Sequence, residues 1–512
     1  MKGLKSRLVW LLMLAIVAMP LLTACGGETA TATPQAAVPT DTTAPAAAAT
    51  DTTAPAAAAT DTTAPAAGAT ATAPAMTPTE AGMAGETPTT GGATGGTTGN
   101  ALDQLAAEGI KPDSSASGKF EFFSWWTAGG EAEGKNDILN LYKQLYPGVQ
   151  VIDAAVAGGG GDQAKAVLKT RMQGNDPPDT FQVHAGPELM DGYVKADKMQ
   201  PVTDLYTKMN IQSAFPKQLL DMISKDGQIY GVPADIHRGN VLFYNKKIFT
   251  DNNLQPPTTW DEFYSVCQTL AGKNIPCVAI GGKDTWSVTM LFEDIMLANA
   301  GPDKYMSLYS GKTQWTDPSV IAALTGLQKV WQSKWMNSDF AARTWDEASG
   351  QVLKGQAAMQ VMGDWAKGYF QANDPNWATD IGWEPSPGTS GIFKVISDVF
   401  GVPKGIKNPE NTNNFLALLA SKTGQVTFNL RKGSIPARTD VDTSQFDVYM
   451  KSANADFTSA KALVGSAPHG SATNDAFASA INTAVNTFIS NPTDPNAAAT
   501  NIQNQATDLL TP

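Results

Sequence analysis

Residues 119–184 read KFEFFSWWTAGGEAEGKNDILNLYKQLYPGVQVIDAAVAGGGGDQAKAVLKTRMQGNDPPDTFQVH, and the order of apolar runs and breakers in this stretch decides the fold. Phe120-Glu121-Phe122-Phe123-Ser124 is a short aromatic run and predicts a first strand. Ile138, Leu141, Tyr142 and Leu145 then stand at i, i+3, i+4 and i+7, one face of an amphipathic helix, which Pro147-Gly148 stops. Residues 149–156 predict a second strand. The glycines at 158–161 lead into a helix with Ala164, Val167, Leu168 and Met172 on one face, and residues 180–183 predict a third strand. Strand and helix alternating at this spacing make a βαβαβ unit, hence a parallel sheet.

The α/β rhythm continues downstream. Thr259 with Glu262 and Thr344 with Glu347 have capping-box spacing, and Asp317-Pro318 puts proline at the first helical position. Lys225-Asp226-Gly227-Gln228 carries an Asp-Gly hairpin turn. The part from residue 119 onward is long enough to favour two α/β lobes over one core, and a cleft between lobes is where a small ligand binds. The full chain carries a net charge of −12 and has no Lys/Arg cluster, which excludes nucleic acid as a partner. Cys267 and Cys277 lie ten positions apart. In an oxidising compartment they form either one disulfide or two buried thiols, since a bond needs close Cβ atoms that spacing does not fix.

Upstream, Lys2, Lys5 and Arg7 precede an apolar run at residues 8–22, the layout of an export signal. Leu22-Thr23-Ala24-Cys25 resembles the lipobox of bacterial lipoproteins, which makes residues 1–25 a signal peptide and Cys25 the lipid-attached mature N-terminus. An uncleaved apolar anchor is the alternative. Either reading expects an extracytoplasmic protein held to the cell membrane, at the cell surface or in the periplasm. Residues 26–118 have no aromatic side chain and one basic one, Lys111, so they bury too little apolar surface to offset their conformational entropy. Thr-Asp-Thr-Thr-Ala-Pro-Ala-Ala recurs from Thr40, Thr50 and Thr60. A disordered tether is expected, with a reach of about 50 Å for roughly ninety residues of coil.

Five segments carry a family resemblance. They are Phe123-Ser124-Trp125-Trp126, the run from Asp176-Pro177-Pro178-Asp179 to His184, Val232-Pro233 with Ile236-His237-Arg238, Met362-Gly363-Asp364-Trp365, and Gly433-Ser434-Ile435-Pro436-Ala437-Arg438. In this order the chain resembles the sugar-binding components of bacterial ABC importers, most of all the glucose/mannose type, from about residue 120 to the end. The resemblance implies a hinged, two-lobed fold of the maltose-binding-protein kind in which the chain crosses three times between lobes. The N-terminal lobe is then expected at 119–233 plus about 400–437, and the C-terminal lobe at 234–399 plus about 438–512. It also implies a monomeric receptor that catalyses nothing, needs no cofactor, and passes a small sugar to membrane permease subunits.

A pyranose has hydroxyls at its rim and weakly polarised C–H groups on its faces, so it calls for aromatic planes and planar hydrogen-bonding groups together. Trp125 and Trp126 follow the first strand and at least one is expected at the cleft edge; each is also a residue type that cores use. Gln182 and His184 alternate onto one face of a strand end. Asp364 is expected to hold two adjacent hydroxyls through charge-assisted bonds, with Trp365 beside it. By resemblance His237, Asp398 and His469 also belong to the site, and Trp286 supplies a second stacking plane for which Tyr305 and Trp345 compete. Glu131 and Glu133 stand where the family has an acidic residue, in doubtful register.

Three histidines, His184, His237 and His469, are too scattered to argue a metal site by spacing. The rivals are a surface-anchored glycoside hydrolase and a carbohydrate-binding adhesin. Nothing marks the spaced carboxylate pair of a hydrolase, and there is no Gly-x-Ser-x-Gly, His-Glu-x-x-His or P-loop motif. Adhesins tend to be β-sandwiches, against which the βαβαβ opening speaks.

Overall fold

The computed structural model describes residues 97–158 and 161–510. The expected export signal, Cys25 and the expected tether up to residue 96 lie outside the described residues. Regular structure starts earlier than expected: Thr97–Ala107 is a helix, so the tether boundary at residue 118 is corrected to about residue 96. Leu105 and Ile110 are buried against the body. Glu108 accepts hydrogen bonds from the backbone N–H groups of Lys422 at 2.7 Å and Thr423 at 3.0 Å. Those donors open the helix Lys422–Lys432, where unpaired N–H groups and the helix dipole favour an anion. A segment too poor in apolar residues to fold alone thus docks on a surface built by residues some three hundred positions away.

The quoted stretch folds as the βαβαβ unit. Gly118–Phe123 lies between Val149–Asp153 and Thr180–His184, parallel to both. The connecting helices are Gly129–Leu145 and Asp162–Gln173. In the second of these Ala164, Leu168 and Met172 are buried, but Val167 is exposed, a correction to the expected face. At about 100° per residue Val167 points well away from the centre of the other three. Asp398–Phe400 and Val232–Pro233 complete a five-stranded sheet. The hairpin Ser224–Lys225 with Gln228–Ile229 forms through Asp226 and Gly227, both at positive φ, as a tight two-residue turn requires.

A second group of elements surrounds Val241–Asn245, which pairs antiparallel with Met359–Met362 and Ile381–Pro385. Ile392–Ile396 pairs with Ala462–Val464 on one side and His237–Arg238 on the other. Both capping boxes are made, at Thr259 and Thr344, and Asp317 caps the helix that starts at Pro318. Cys267 and Cys277 are disulfide-bonded, fastening the helix Trp260–Ala271 to the segment that follows it.

The chain passes between the two groups three times, near residues 233–237, 396–398 and 433–437, giving the two-lobed α/β fold. The crossings are laced together. Ile236 and Ile435 exchange backbone hydrogen bonds at 2.8 and 3.1 Å, and the Ala234 N–H donates to the Asp398 carbonyl at 2.8 Å. After the third crossing, Tyr449 packs on Phe243 and Trp383 of the second group.

Candidate functional site

The carboxyl ends of the parallel strands face the second lobe, as the ligand-binding ends of open α/β sheets do. Trp125 follows Gly118–Phe123, and His184 ends its own strand opposite Asp398. From the second lobe come Trp286 and Trp365, each opening a helix, and His469 on the loop after Ala462–Val464. His237 lies on the first crossing. These seven residues line one cavity of about 30 Å³, with Glu131, Trp345, Ile396 and Lys432.

Aromatic rings make most of its wall. Trp365 and His469 lie 4.9 Å apart by ring centroids, Trp286 and His469 5.2 Å, and Trp286 and Trp365 6.0 Å with planes at 69°. Trp125 stands 5.1 Å from His184, whose ring meets His469 across the lobes at 5.5 Å. So small a cavity holds about two waters. A larger guest enters only if the lobes part.

Its floor is a buried ion cluster. Lys432 lies 2.8 Å from Glu131 and 3.6 Å from Asp398, and its ammonium stands 2.9 Å from His237 Nε2. His237 Nδ1 is hydrogen-bonded to Asp364, and Nε2 lies 3.4 Å from Asp235 and 3.8 Å from Asp398. Burial and Lys432 depress the basicity of His237, but Asp235 and Asp364 outweigh them and raise its pKa to about 9. With His237 protonated at neutral pH, the 2.9 Å between Nε2 and the Lys432 ammonium sets two like charges against each other. His237 and Lys432 thus compete for the same carboxylates, and a proton on Nε2 pushes Lys432 away. Burial and the charge of Asp235 raise the pKa of Asp398 against Lys432, His184 and His237. Asp235 goes the other way: burial works against its charge, and His237 and Lys432 still hold its pKa below the usual value. Burial, with the charges of His184 and Lys165, keeps His469 neutral. Asp235, His237 and Asp398 bring ligand-type atoms within 4.8 Å of one another, a spacing a cation could bridge. In this geometry the Lys432 ammonium supplies that positive charge.

Three expected contact residues stand behind the cavity. Trp126 is 1% exposed and packs on Phe122, Phe400 and Phe428, while Trp125, at the bend after the strand, takes the cleft side. Gln182 accepts from the Trp125 N–H at 3.0 Å and donates to Asp398 at 2.7 Å. Asp364 is fully buried: besides His237, it accepts from the Arg238 N–H at 3.0 Å and the Tyr449 hydroxyl at 3.1 Å. Where two ligand hydroxyls are expected, protein donors occupy both of its oxygens in this structure. Tyr305 is buried, donating to the Gly465 carbonyl at 3.1 Å, and Glu133 is exposed.

Two members of the cluster escaped sequence reasoning. Lys432 directly precedes the Gly433–Arg438 motif, but a cation in the last turn of a helix is a common cap. Asp235 sits between two quoted motif segments, and only its complete burial sets it apart. Together the residues offer angled aromatic planes beside carboxylate acceptors and ammonium and imidazole donors, a match for a small polyhydroxylated ring.

Comparison with known proteins agrees in kind. Residues 121–426 match the family model described as bacterial extracellular solute-binding protein. An uncharacterized ABC transporter extracellular-binding protein from Pyrococcus horikoshii is 35% identical over 396 residues, covering 77% of this chain and 88% of that protein. A probable sugar-binding periplasmic protein from Mesorhizobium japonicum is 31% identical over 379 residues, 72% of this chain and 88% of the relative. The solute receptor AcbH, described as having an exclusive preference for β-D-galactopyranose, is similar with a TM-score of 0.68 at 18% identity, over 77% of this chain and 99% of its own. That last likeness carries the fold alone.

Proposed function

The chain belongs to the bacterial extracellular solute-binding proteins, and on that premise we propose that its ligand is a glucose/mannose-like monosaccharide held between the two lobes. It is a sugar-binding receptor of an ABC importer and not an enzyme, so the hydrolase and adhesin alternatives fall away. One observation carries the monosaccharide reading: Trp125 from one lobe and Trp286 and Trp365 from the other enclose a single small cavity over a buried, polar floor. Once the lobes part enough to admit it, a single pyranose can still meet all three ring planes at once. A longer saccharide would need an open groove there.

In the proposed cycle the lobes exchange between open and closed arrangements by rotation at the three crossings. Sugar stabilises the closed one by touching both lobes, and closure presents one joint surface to the permease subunits. We further propose that the receptor works as a monomer, attached to the membrane through lipid on Cys25 by the tether of residues 26–96. Isothermal titration with glucose, mannose, galactose, xylose and maltose tests the reading. Saturable one-site binding of glucose or mannose, tighter than maltose, is expected. Preference for maltose would overturn the monosaccharide assignment, and silence with every sugar would overturn the receptor assignment as well.

A further inference from the structure

Asp235 does not line the cavity, yet it binds two of the crossings that form the hinge. It is fully buried on the first crossing. Its Oδ1 accepts from the Asp398 N–H at 2.8 Å, and its carbonyl accepts from the Ser397 hydroxyl at 2.6 Å, which binds the first crossing to the second. The neighbouring Ala234 carbonyl accepts from Asn429 at 2.8 Å, on the helix that ends in Lys432 and the third crossing. Its Oδ2 makes no hydrogen bond among the described residues, although His237 Nε2 stands 3.4 Å away. A buried carboxylate oxygen whose nearest partner is a loosely placed imidazole is costly and calls for a reason.

Resting on the sugar-receptor reading, we propose that Asp235 is a positioning residue whose Oδ2, now only loosely met by His237, becomes the full acceptor for His237 or Lys432 when a sugar hydroxyl takes their place at Asp398. His237 Nε2 is 3.8 Å from Asp398 and 3.4 Å from Asp235, so the imidazole is within a small movement of either carboxylate, while Lys432 is 3.6 Å from Asp398. The exchange keeps the buried charges paired while Asp398 turns to the ligand. Because Asp235 also fastens two crossings, the same movement reports ligand contact to the hinge.

The groups facing His237 define what pH does to this exchange. They are Asp235 on its own crossing, Asp398 on the second, Asp364 before the helix Trp365–Asn373, and Lys432 at the end of the helix Lys422–Lys432. Glu131, on the helix Gly129–Leu145, acts through Lys432, Tyr449 acts through Asp364, and the Trp365 ring lies 5.4 Å from the imidazole. The neutral His469 adds no charge.

The experiment is isothermal titration of the full chain with D-glucose from about pH 6 to about pH 10, for wild type and Asp235→Asn, with Asp235→Glu as the charge-retaining control. Wild-type affinity should hold at neutral pH and fall as the medium passes the His237 pKa of about 9. Asp235→Asn should bind about tenfold more weakly or worse at neutral pH, with its decline about one unit lower, because one of the two anions that sustain the imidazolium is gone. Asp235→Glu should restore the midpoint. A lower melting temperature with affinity and midpoint unmoved would reduce Asp235 to a structural residue and overturn the proposal. Should Asp235→Asn not fold, imidazole NMR of the wild type decides, since the chain has only three histidines. D-glucose should shift the His237 titration, and an unmoved titration overturns the proposal. A wild type that binds no sugar overturns the receptor reading and this proposal with it; normal wild-type binding with an indistinguishable Asp235→Asn overturns this proposal alone.

Discussion

Replacing Lys432 with methionine keeps most of the side-chain volume and removes one buried charge. The lysine side chain is 2% exposed, and its partners Glu131 and Asp398 are 16% and 4% exposed. Losing one partner of a buried pair costs about 3–5 kcal/mol, because the carboxylates stay buried without compensation. Burial works against the ammonium, but Glu131, Asp398 and Asp235 raise its pKa above the usual lysine value. A raised lysine pKa means that the stabilisation is complete at neutral pH and is lost only in strong alkali. With an unfolding entropy of about 2.1 cal/mol/K per residue, a body of roughly 410 residues loses about 3–6 °C of Tm for that energy. Thermal unfolding followed by circular dichroism at neutral pH reads the shift directly. Adding Glu131→Gln should recover part of it, since one of the stranded anions is then removed. A Lys432→Met protein that melts within a degree of wild type would refute the charge-cluster reasoning.

Further outcomes are expected. Reducing the Cys267–Cys277 disulfide should destabilise the second lobe by about 2.7 kcal/mol, the loop-closure entropy for a ten-residue separation, seen as a lower urea midpoint under reductant; an unchanged midpoint contradicts it. Burial raises the pKa of Asp284 to about 6, so its ionised form is a burden at pH 7 that protonation relieves as pH falls below 6. Glu188 behaves oppositely: burial opposes its charge, but Lys165 and His184 lower its pKa to about 2, and the stability it gives is lost as pH falls from the ordinary glutamate value of 4.5 towards 2. Urea melts should therefore show greatest stability near about pH 5, and Asp284→Asn should reduce the rise between pH 7 and 5, the remainder coming from Asp475, whose pKa burial also raises to about 6. Removing residues 26–96 should leave the melting temperature unchanged, whereas removal through residue 118 should lower it, because Leu105, Ile110 and the Glu108 cap go with it. Equal melting of the two truncated proteins would restore the original tether boundary.

Local signals in this sequence were legible because their chemistry is local. The Asp226-Gly227 turn, the Thr259 and Thr344 capping boxes and the βαβαβ opening each depend on residues a few positions apart, and each is present. The site was legible as a set of segments but not as a set of contacts. Trp125 and Trp126 are neighbours of one type, and which of them faces the cleft depends on Phe400 and Phe428 arriving from far along the chain. Asp364 looked like a ligand residue because carboxylates beside tryptophan suit sugars. Its oxygens are instead filled by Arg238 and Tyr449, the latter 85 positions away. The helix Thr97–Ala107 was hidden for a related reason: its composition resembles the tether, and its partner is the start of a helix at residue 422.

The central claim is that one sugar ring sits between the lobes against Trp125, Trp365 and Asp398. A crystal structure grown with D-glucose or D-mannose tests it most directly. The account predicts a single monosaccharide in contact with all three side chains, with Lys432 or His237 turned towards Asp235. Sugar bound elsewhere on the surface, with the three side chains untouched, would contradict it.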